Sequence, residues 1–162
     1  ILARYGCDEH TIVSGILLAL LSEAEHSQQQ ELARRIGVKF GDMALKIVQQ
    51  VLEPRYDSRG RERGWEACKL DYLANLGLCD QRALEVSCAN EIHQCGALIT
   101  DVRRLGSEYL STHAPGGGPT VVYWFTQVIQ AYAGHATGPR PGMLAELREL
   151  SNRLSDLVLA GE

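Results

Sequence analysis

The 162-residue sequence lacks the cysteine patterns of disulfide-rich and zinc-binding proteins. Its five cysteines are odd in number and form no C-x-x-C pair. This usage favours reduced thiols that act as small apolar residues, over a disulfide framework or a structural metal site. It therefore predicts a cytoplasmic protein.

The sequence also lacks a surplus of basic residues and a long apolar run. Sixteen lysines and arginines against twenty acidic residues give a net charge of -4, whereas nucleic-acid surfaces are basic. The longest apolar run, 16–21, is much shorter than the ~20 residues that cross a bilayer. We therefore expect neither a nucleic-acid partner nor a membrane partner. No pattern indicates an oligomeric state.

Strand signals are almost absent, and apolar residues recur at helical spacing along most of the sequence. The one β-like cluster, VVYWF at 121–125, continues into TQVIQAYAG with helical spacing. Asp8 and Asp80 are predicted N-caps, and Gly37 and Gly106 are predicted helix ends. The predicted helices cover 9–26, 29–36, 40–53, 65–76, 81–105, a segment that opens at 119, and 143–159. These elements predict one all-α domain of six or seven helices over residues 1–162.

The first predicted helix is apolar on nearly every side. Ile12, Ile16, Ala19, Leu20 and Glu23 fall on one side, and the ILLALL run covers the rest. A helix of this kind is central in its bundle. We therefore expect it to be enclosed.

Its last turn carries the first candidate site. On a helix, Ser22 and Glu23 lie beside His26, which follows them by four and three positions. A Glu-x-x-His pair at this spacing can hold a metal or act as an acid/base couple. The same residues also fit a core helix whose last turn becomes polar, so both interpretations remain open.

A second candidate lies in the long helix predicted from residue 81. At about 100° per residue, Ala83, Val86, Asn90, His93 and Ala97 form one stripe. Alanines around two polar residues indicate an inner face with space beside it. A satisfied core histidine is the alternative interpretation for His93.

A third candidate is a basic and aromatic group formed by Arg59, Arg61, Arg63, Trp65 and Lys69. Lys69 follows Trp65 by one helical turn, after an arginine-rich loop. Such a group suits a small anionic molecule through charge-assisted hydrogen bonds. A solvated charged loop is the alternative.

Taken in order, several segments resemble the HD-domain superfamily of metal-dependent phosphohydrolases. The nearest branch is the bacterial guanosine tetraphosphate hydrolases and their small stand-alone relatives. ILARYGCDEHTIVSGILLALLSE stands where the family has a turn and then A-A-L-L-H-D, and ELARRIGVKFGDMALKIVQQVLE and WEACKLDYLANL are similar to the family's following helices. ALEVSCANEIHQCGALITDVRRLG is similar to the stretch around A-D-x-L-H-N, and Trp124 fits a tryptophan-tyrosine helix of the stand-alone relatives. The resemblance covers about residues 1–135 and implies an HD-domain-like helical bundle whose N-terminal helix is truncated.

The resemblance also implies that the metal ligands have been replaced. The family's His-Asp pair falls on Ser22 and Glu23, the later aspartate falls on Asn90, and the first ligand histidine would precede Ile1. Serine is a poor ligand for Mn²⁺ or Fe²⁺, and neutral asparagine lacks the charge that anchors a hard cation. We therefore expect no bound metal and no other cofactor. We also expect no ordinary metal-dependent phosphohydrolase activity.

Three alternatives follow for the remaining pocket. It is kept for ligand binding or for structure, or it serves a metal-free acid/base enzyme, or it belongs to a nucleotide phosphohydrolase with an altered ligand set. The expected ligand-binding residues are Ser22, Arg63, Lys69, Asn90 and His93, and the expected catalytic residues are Glu23 and His26.

Overall fold

The structure is a computed structural model that describes residues 1–160. Eight helices are present among these residues: α1 (Glu9–Glu23), α2 (His26–Phe40), α3 (Asp42–Val51), α4 (Trp65–Leu76), α5 (Gln81–Leu105), α6 (Glu108–His113), α7 (Gly117–Gly134) and α8 (Pro141–Leu159). This part of the chain contains no strand, and its one β pairing is an isolated bridge between Tyr56 and Glu62. The prediction of an all-α protein is confirmed, with slightly more helices than expected.

The chain divides into two compact units, residues 1–87 and residues from 88 onward. In the first unit α1 and α2 both pack on α3, and α3 also contacts α4. In the second unit α7 packs against α8, and α6 against α7. That the whole chain forms a single domain stays a prediction. No helix within residues 1–160 combines the length and apolar character needed to cross a membrane.

Several predicted helix ends are confirmed in atomic detail. Asp8 Oδ1 accepts the amide of Thr11 at 3.0 Å at the start of α1, and Asp80 Oδ1 accepts the amide of Ala83 at 3.1 Å at the start of α5. These bonds satisfy amides that have no partner inside the helix. Helices α4 and α5 have the predicted bounds, and Gly106 follows α5 with a φ of 88°.

Gly37 does not end α2, contrary to the prediction. The helix continues to Phe40, and Gly41, with a φ of 88°, ends it. Gly37 allows α2 to approach α3 closely, since a Cβ at this position would lie 3.1 Å from Leu45 Cδ2. A glycine selected for close packing is indistinguishable in sequence from one selected for a turn.

Helix α1 is not enclosed, so that prediction is wrong. Its buried side faces α3, where Ser14 Oγ donates to the carbonyl oxygen of Ala44 at 3.3 Å. On its other side Ile16 remains 70% exposed and Leu20 52% exposed. An apolar run shows that burial is favourable but does not say how many neighbours supply it.

Candidate functional site

The predicted Ser22, Glu23 and His26 constellation does not lie on one helix. Helix α1 ends at Glu23, and His26 is the first residue of α2. Between them Ala24 (φ -70°, ψ 139°) and Glu25 (φ -63°, ψ 151°) are extended. No hydrogen bond joins Glu23 to His26 within residues 1–160. The prediction that Glu23 and His26 share one face of a single helix is therefore wrong.

Arg55 closes the end of α1 at this break. Its Nη1 donates to the carbonyl oxygen of Ser22 at 2.7 Å, an oxygen that would accept the amide of His26 in an unbroken helix. Its Nη2 donates to Glu62 Oε1 at 3.2 Å. Cationic side chains at the end of a helix satisfy free carbonyls and complement the helix dipole. Arg55 is thus a cap for α1, supplied by a residue 33 positions later.

The electrostatics of Arg55 agree with this role. The hydrogen bond to Glu62 raises the pKa of Arg55, and the negative charges of Glu62 and Glu23 add to that effect against the opposing effect of burial. The guanidinium therefore stays positively charged at neutral pH. Sequence analysis missed this residue because it lies in a charged segment with no periodicity.

A short hairpin, residues 55–63, brings Arg55 to α1. Backbone hydrogen bonds of 2.8 and 2.9 Å pair its two arms, and Gly60 adopts a φ of 73° at its turn. The His26 ring lies against this hairpin, with its centroid 5.1 Å from that of Tyr56. A Cβ on Gly60 would come within 2.6 Å of His26 Cδ2. In this structure His26 is therefore a packing residue at the start of α2.

Three cations that were expected to bind an anion are paired with carboxylates instead. Each N–O distance is short, and the pairs are Arg61 with Asp57 (2.7 Å), Arg63 with Asp71 (2.6 Å) and Lys69 with Glu53 (2.7 Å). The Lys69 side chain is only 17% exposed, and its Nζ lies 6.0 Å from the Trp65 ring centroid. An anionic ligand would have to displace these carboxylates. Ligand binding by Arg63 and Lys69 stays a prediction.

The remaining predicted ligand-binding residues, Asn90 and His93, lie in the second unit. His93 and Ala97 are exposed and Asn90 is half-buried, so the prediction that this stripe faces inward is wrong for His93 and Ala97. Alanine has the highest helix propensity and is favoured on exposed helix positions too. The buried side of α5 in this unit instead carries Cys88, Glu91, Ile92, Cys95 and Ile99.

Glu91 is a buried carboxylate that the sequence patterns did not single out. Trp124 Nε1 donates to its Oε2 at 3.0 Å, and both side chains are buried. Burial, together with the negative charge of Glu91, raises the pKa of the Cys95 thiol to about 12 and also raises the pKa of Cys88. Both thiols therefore stay protonated at neutral pH and act as apolar core groups, as the cysteine usage predicts.

The two residues of the first unit that the HD-domain resemblance aligns with metal ligands, Ser22 and Glu23, do not fit a divalent metal. Glu23 is the one carboxylate among them. Its negative charge helps to raise the pKa of Arg55, so the positive guanidinium lies near it. Within residues 1–160 no three histidine, cysteine or acidic side chains converge as a metal site would require. Hard divalent cations need several oxygen ligands, usually with more than one carboxylate.

Comparison with known proteins adds no family to this description. No protein-family model matches the chain, and no curated protein matches it. The HD-domain resemblance stays a prediction.

Proposed function

We propose that this protein is a catalytically inactive HD-domain-like helical protein. The place of the metal site has become a structural junction, defined here as the break at Ala24 and Glu25 between α1 and α2 together with Arg55, which links the end of α1 to the hairpin. The observation that carries the proposal is the 2.7 Å hydrogen bond from Arg55 to the Ser22 carbonyl. This bond fixes a positive charge beside Ser22 and Glu23, the two residues that the resemblance aligns with the family's His-Asp pair. A divalent cation bound there would be repelled by the guanidinium.

The chemistry of the junction agrees with the loss of hydrolysis. Hydrolysis by this kind of site depends on a metal that lowers the pKa of a water molecule to about 7. Ser22 and Glu23 do not supply a ligand set for it, and the carbonyl oxygen of Ser22 is taken by Arg55. Glu23 and His26 are not joined by a hydrogen bond that would link them as an acid/base couple. We therefore assign the retained residues a structural role.

Two measurements on the purified protein test this proposal. Hydrolysis of guanosine tetraphosphate, the substrate that the resemblance implies, is assayed with and without Mn²⁺. The melting temperature is measured over a Mn²⁺ titration, because a metal that binds only the folded state raises it. We expect no metal-dependent turnover and no metal-dependent shift. Either effect in the unaltered protein would contradict the proposal.

The role of Arg55 is tested separately. Arg55→Ala should lower the free energy of unfolding by about 1–2 kcal/mol, because it removes a charged hydrogen bond to a helix end that is partly exposed. Arg59→Ala is the matched control, since Arg59 is an exposed arginine on the same hairpin. The control should leave the free energy of unfolding unchanged. If both substitutions changed the free energy of unfolding equally, the hydrogen bond from Arg55 to the end of α1 would not stabilise the junction.

A further inference from the structure

The turn that joins α7 to α8, residues 135–140, is built around the ring of His135. This residue follows the last residue of α7 and has an extended backbone (φ -77°, ψ 138°). Its Nδ1 accepts the amide of Thr137 and the amide of Gly138, both at 3.2 Å, and lies 3.1 Å from the Thr137 hydroxyl oxygen. Three groups of the α7–α8 turn thus converge on one ring nitrogen.

These contacts decide the protonation state that the ring must have. A backbone N–H can only donate, so Nδ1 must present a lone pair to the two amides. A neutral imidazole then carries its single proton on Nε2, whereas a protonated imidazole has a proton on both nitrogens and no acceptor. The α7–α8 turn in this structure therefore requires His135 to be neutral.

The backbone of the turn depends on these donors being held. Gly138 has a left-handed φ of 61°, and a Cβ at this position would lie 3.3 Å from the Tyr132 carbonyl oxygen. Gly138 and Pro139 are both buried, and proline has no amide to donate. The His135 ring accordingly accepts two of the three amides that lie between His135 and Pro139.

No acidic side chain within residues 1–160 pairs with His135 to stabilise a positive charge on the ring. The polar contacts of the ring are those to Thr137 and Gly138. Arg140 is the one charged residue in 121–145, and it is a cation. The free carbonyls at the end of α7 do favour a positive charge. However, Nδ1–H can donate to a carbonyl only after the ring turns away from the two amides.

We propose that the α7–α8 turn is a pH-sensitive switch, in which protonation of His135 releases the Thr137 and Gly138 amides and opens the turn. Histidine is suited to this role because an imidazole in an unfolded chain takes up its second proton near pH 6.5. The turn is closed at neutral pH and opens on acidification. Helices α7 and α8 stay paired, since they contact each other and bury apolar side chains that do not titrate.

This proposal does not depend on the HD-domain resemblance, and NMR spectroscopy tests it on the whole chain. The ¹⁵N shifts of the His135 ring report its tautomer and its protonation between pH 7.5 and 4.5. Amide exchange with water, corrected for the intrinsic effect of pH, reports the opening of the turn. We expect the Nε2–H tautomer at pH 7.5. As the ring takes up its second proton, protection of the Thr137 and Gly138 amides should fall by about tenfold.

Two variants separate titration of the ring from the loss of an acceptor. His135→Asn keeps an acceptor that does not titrate, so protection of the two amides should be the same at both ends of the pH range. His135→Ala removes the acceptor, so their protection should be low throughout. The Gly41 amide is the internal control, because it donates to the carbonyl oxygen of Gly37 at 2.9 Å at the end of another helix, and its protection should not change.

Four results would overturn the proposal. The first is the Nδ1–H tautomer at pH 7.5, and the second is a ring that stays neutral down to pH 4.5. The third is protonation of the ring without loss of protection at Thr137 and Gly138. The fourth is an equal loss of protection in His135→Asn or at Gly41, which would show that acid loosens the protein in general rather than through His135.

Discussion

Replacing Glu25 by proline should stabilise the protein, because the structure has a chain break where the sequence predicts a helix. Glu25 has a φ of -63°, which is the value that a proline ring imposes. Ala24 before it is extended, as a residue before proline must be. The amide of Glu25 makes no backbone hydrogen bond within the described residues, so proline removes no donor that the fold uses.

The magnitude follows from comparing the two possible backbones. At a site that already has compatible dihedral angles, proline stabilises by about 0.4–1 kcal/mol, because it restricts the unfolded chain. Inside an unbroken helix it would cost about 3 kcal/mol or more, because it removes one hydrogen bond and clashes with the preceding turn. The two backbones therefore predict opposite signs, separated by roughly 4 kcal/mol.

Urea denaturation followed by circular dichroism measures the difference. Glu25→Ala is the first control, because it removes the carboxylate near the start of α2 without adding the ring. Gln30→Pro is the second control, since Gln30 is an exposed residue inside α2, and it should show the full helical cost. If Glu25→Pro destabilises the protein as much as Gln30→Pro does, α1 and α2 are one helix and the junction at Ala24 and Glu25 does not exist.

Three further substitutions should have local effects on unfolding. Gly60→Ala should cost at least about 1–2 kcal/mol, because the left-handed φ is strained for alanine and the new Cβ meets His26. Asp80→Ala should cost about 1 kcal/mol at pH 7 by removing the cap of α5. His135→Ala should cost about 1 kcal/mol, because His135 Nδ1 accepts the amide of Gly138 at 3.2 Å in the turn after α7.

Each of these has a matched control. Gly6→Ala is the control for Gly60→Ala, because Gly6 has a similar φ of 67° and no atom lies near the new Cβ. Gly6→Ala should therefore cost less than Gly60→Ala, and removing the His26 side chain should bring the two costs together. Asp80→Asn and His135→Asn keep an acceptor at the same place and should restore most of the stability. If the asparagine variants lose as much as the alanine variants, the hydrogen bonds are not what stabilises these ends.

The Asp80 prediction also has a pH dependence. Burial tends to raise the pKa of Asp80, but hydrogen bonds from Gln50 and from the Ala83 amide outweigh it, and the net pKa is lowered. A carboxylate with a lowered folded-state pKa stabilises the protein above its unfolded value of about 3.9. That stabilising contribution is lost as the pH falls through the lowered pKa of Asp80 in the folded protein. The stability difference between the native protein and Asp80→Ala should therefore narrow below about pH 4.

Whether the sequence predicts a feature of the fold depends on how far apart the interacting residues are along the chain. Both N-caps, Asp8 and Asp80, act on amides three residues away, and both were predictable. The end of α1 was not, because the group that satisfies its carbonyl is Arg55, 33 residues later and in a segment without periodicity. The six-residue helix α6 is too short to show a period at all.

The candidate site was predicted in its composition but not in its geometry. The sequence identifies the polar residues after ILLALL, yet the i, i+3 argument assumes a continuous helix that the structure does not have. His93 was expected on an inner face because alanines flank it, although alanine at exposed helix positions is common. Arg63 and Lys69 were identified as cations, but their carboxylate partners are not visible from spacing alone.

The polar contacts around the end of α1 can be explained by the break in the helix, without a catalytic role. Ending α1 at Glu23 leaves the carbonyl of Ser22 without its helical amide, and a partly buried carbonyl needs a donor. Arg55 supplies the donor, and Glu62 balances its charge across the hairpin. The hairpin can lie under His26 only because its turn has no side chain at Gly60. The Ser22 carbonyl thus requires a donor, Arg55 provides it, and Glu62 neutralises the charge that Arg55 brings.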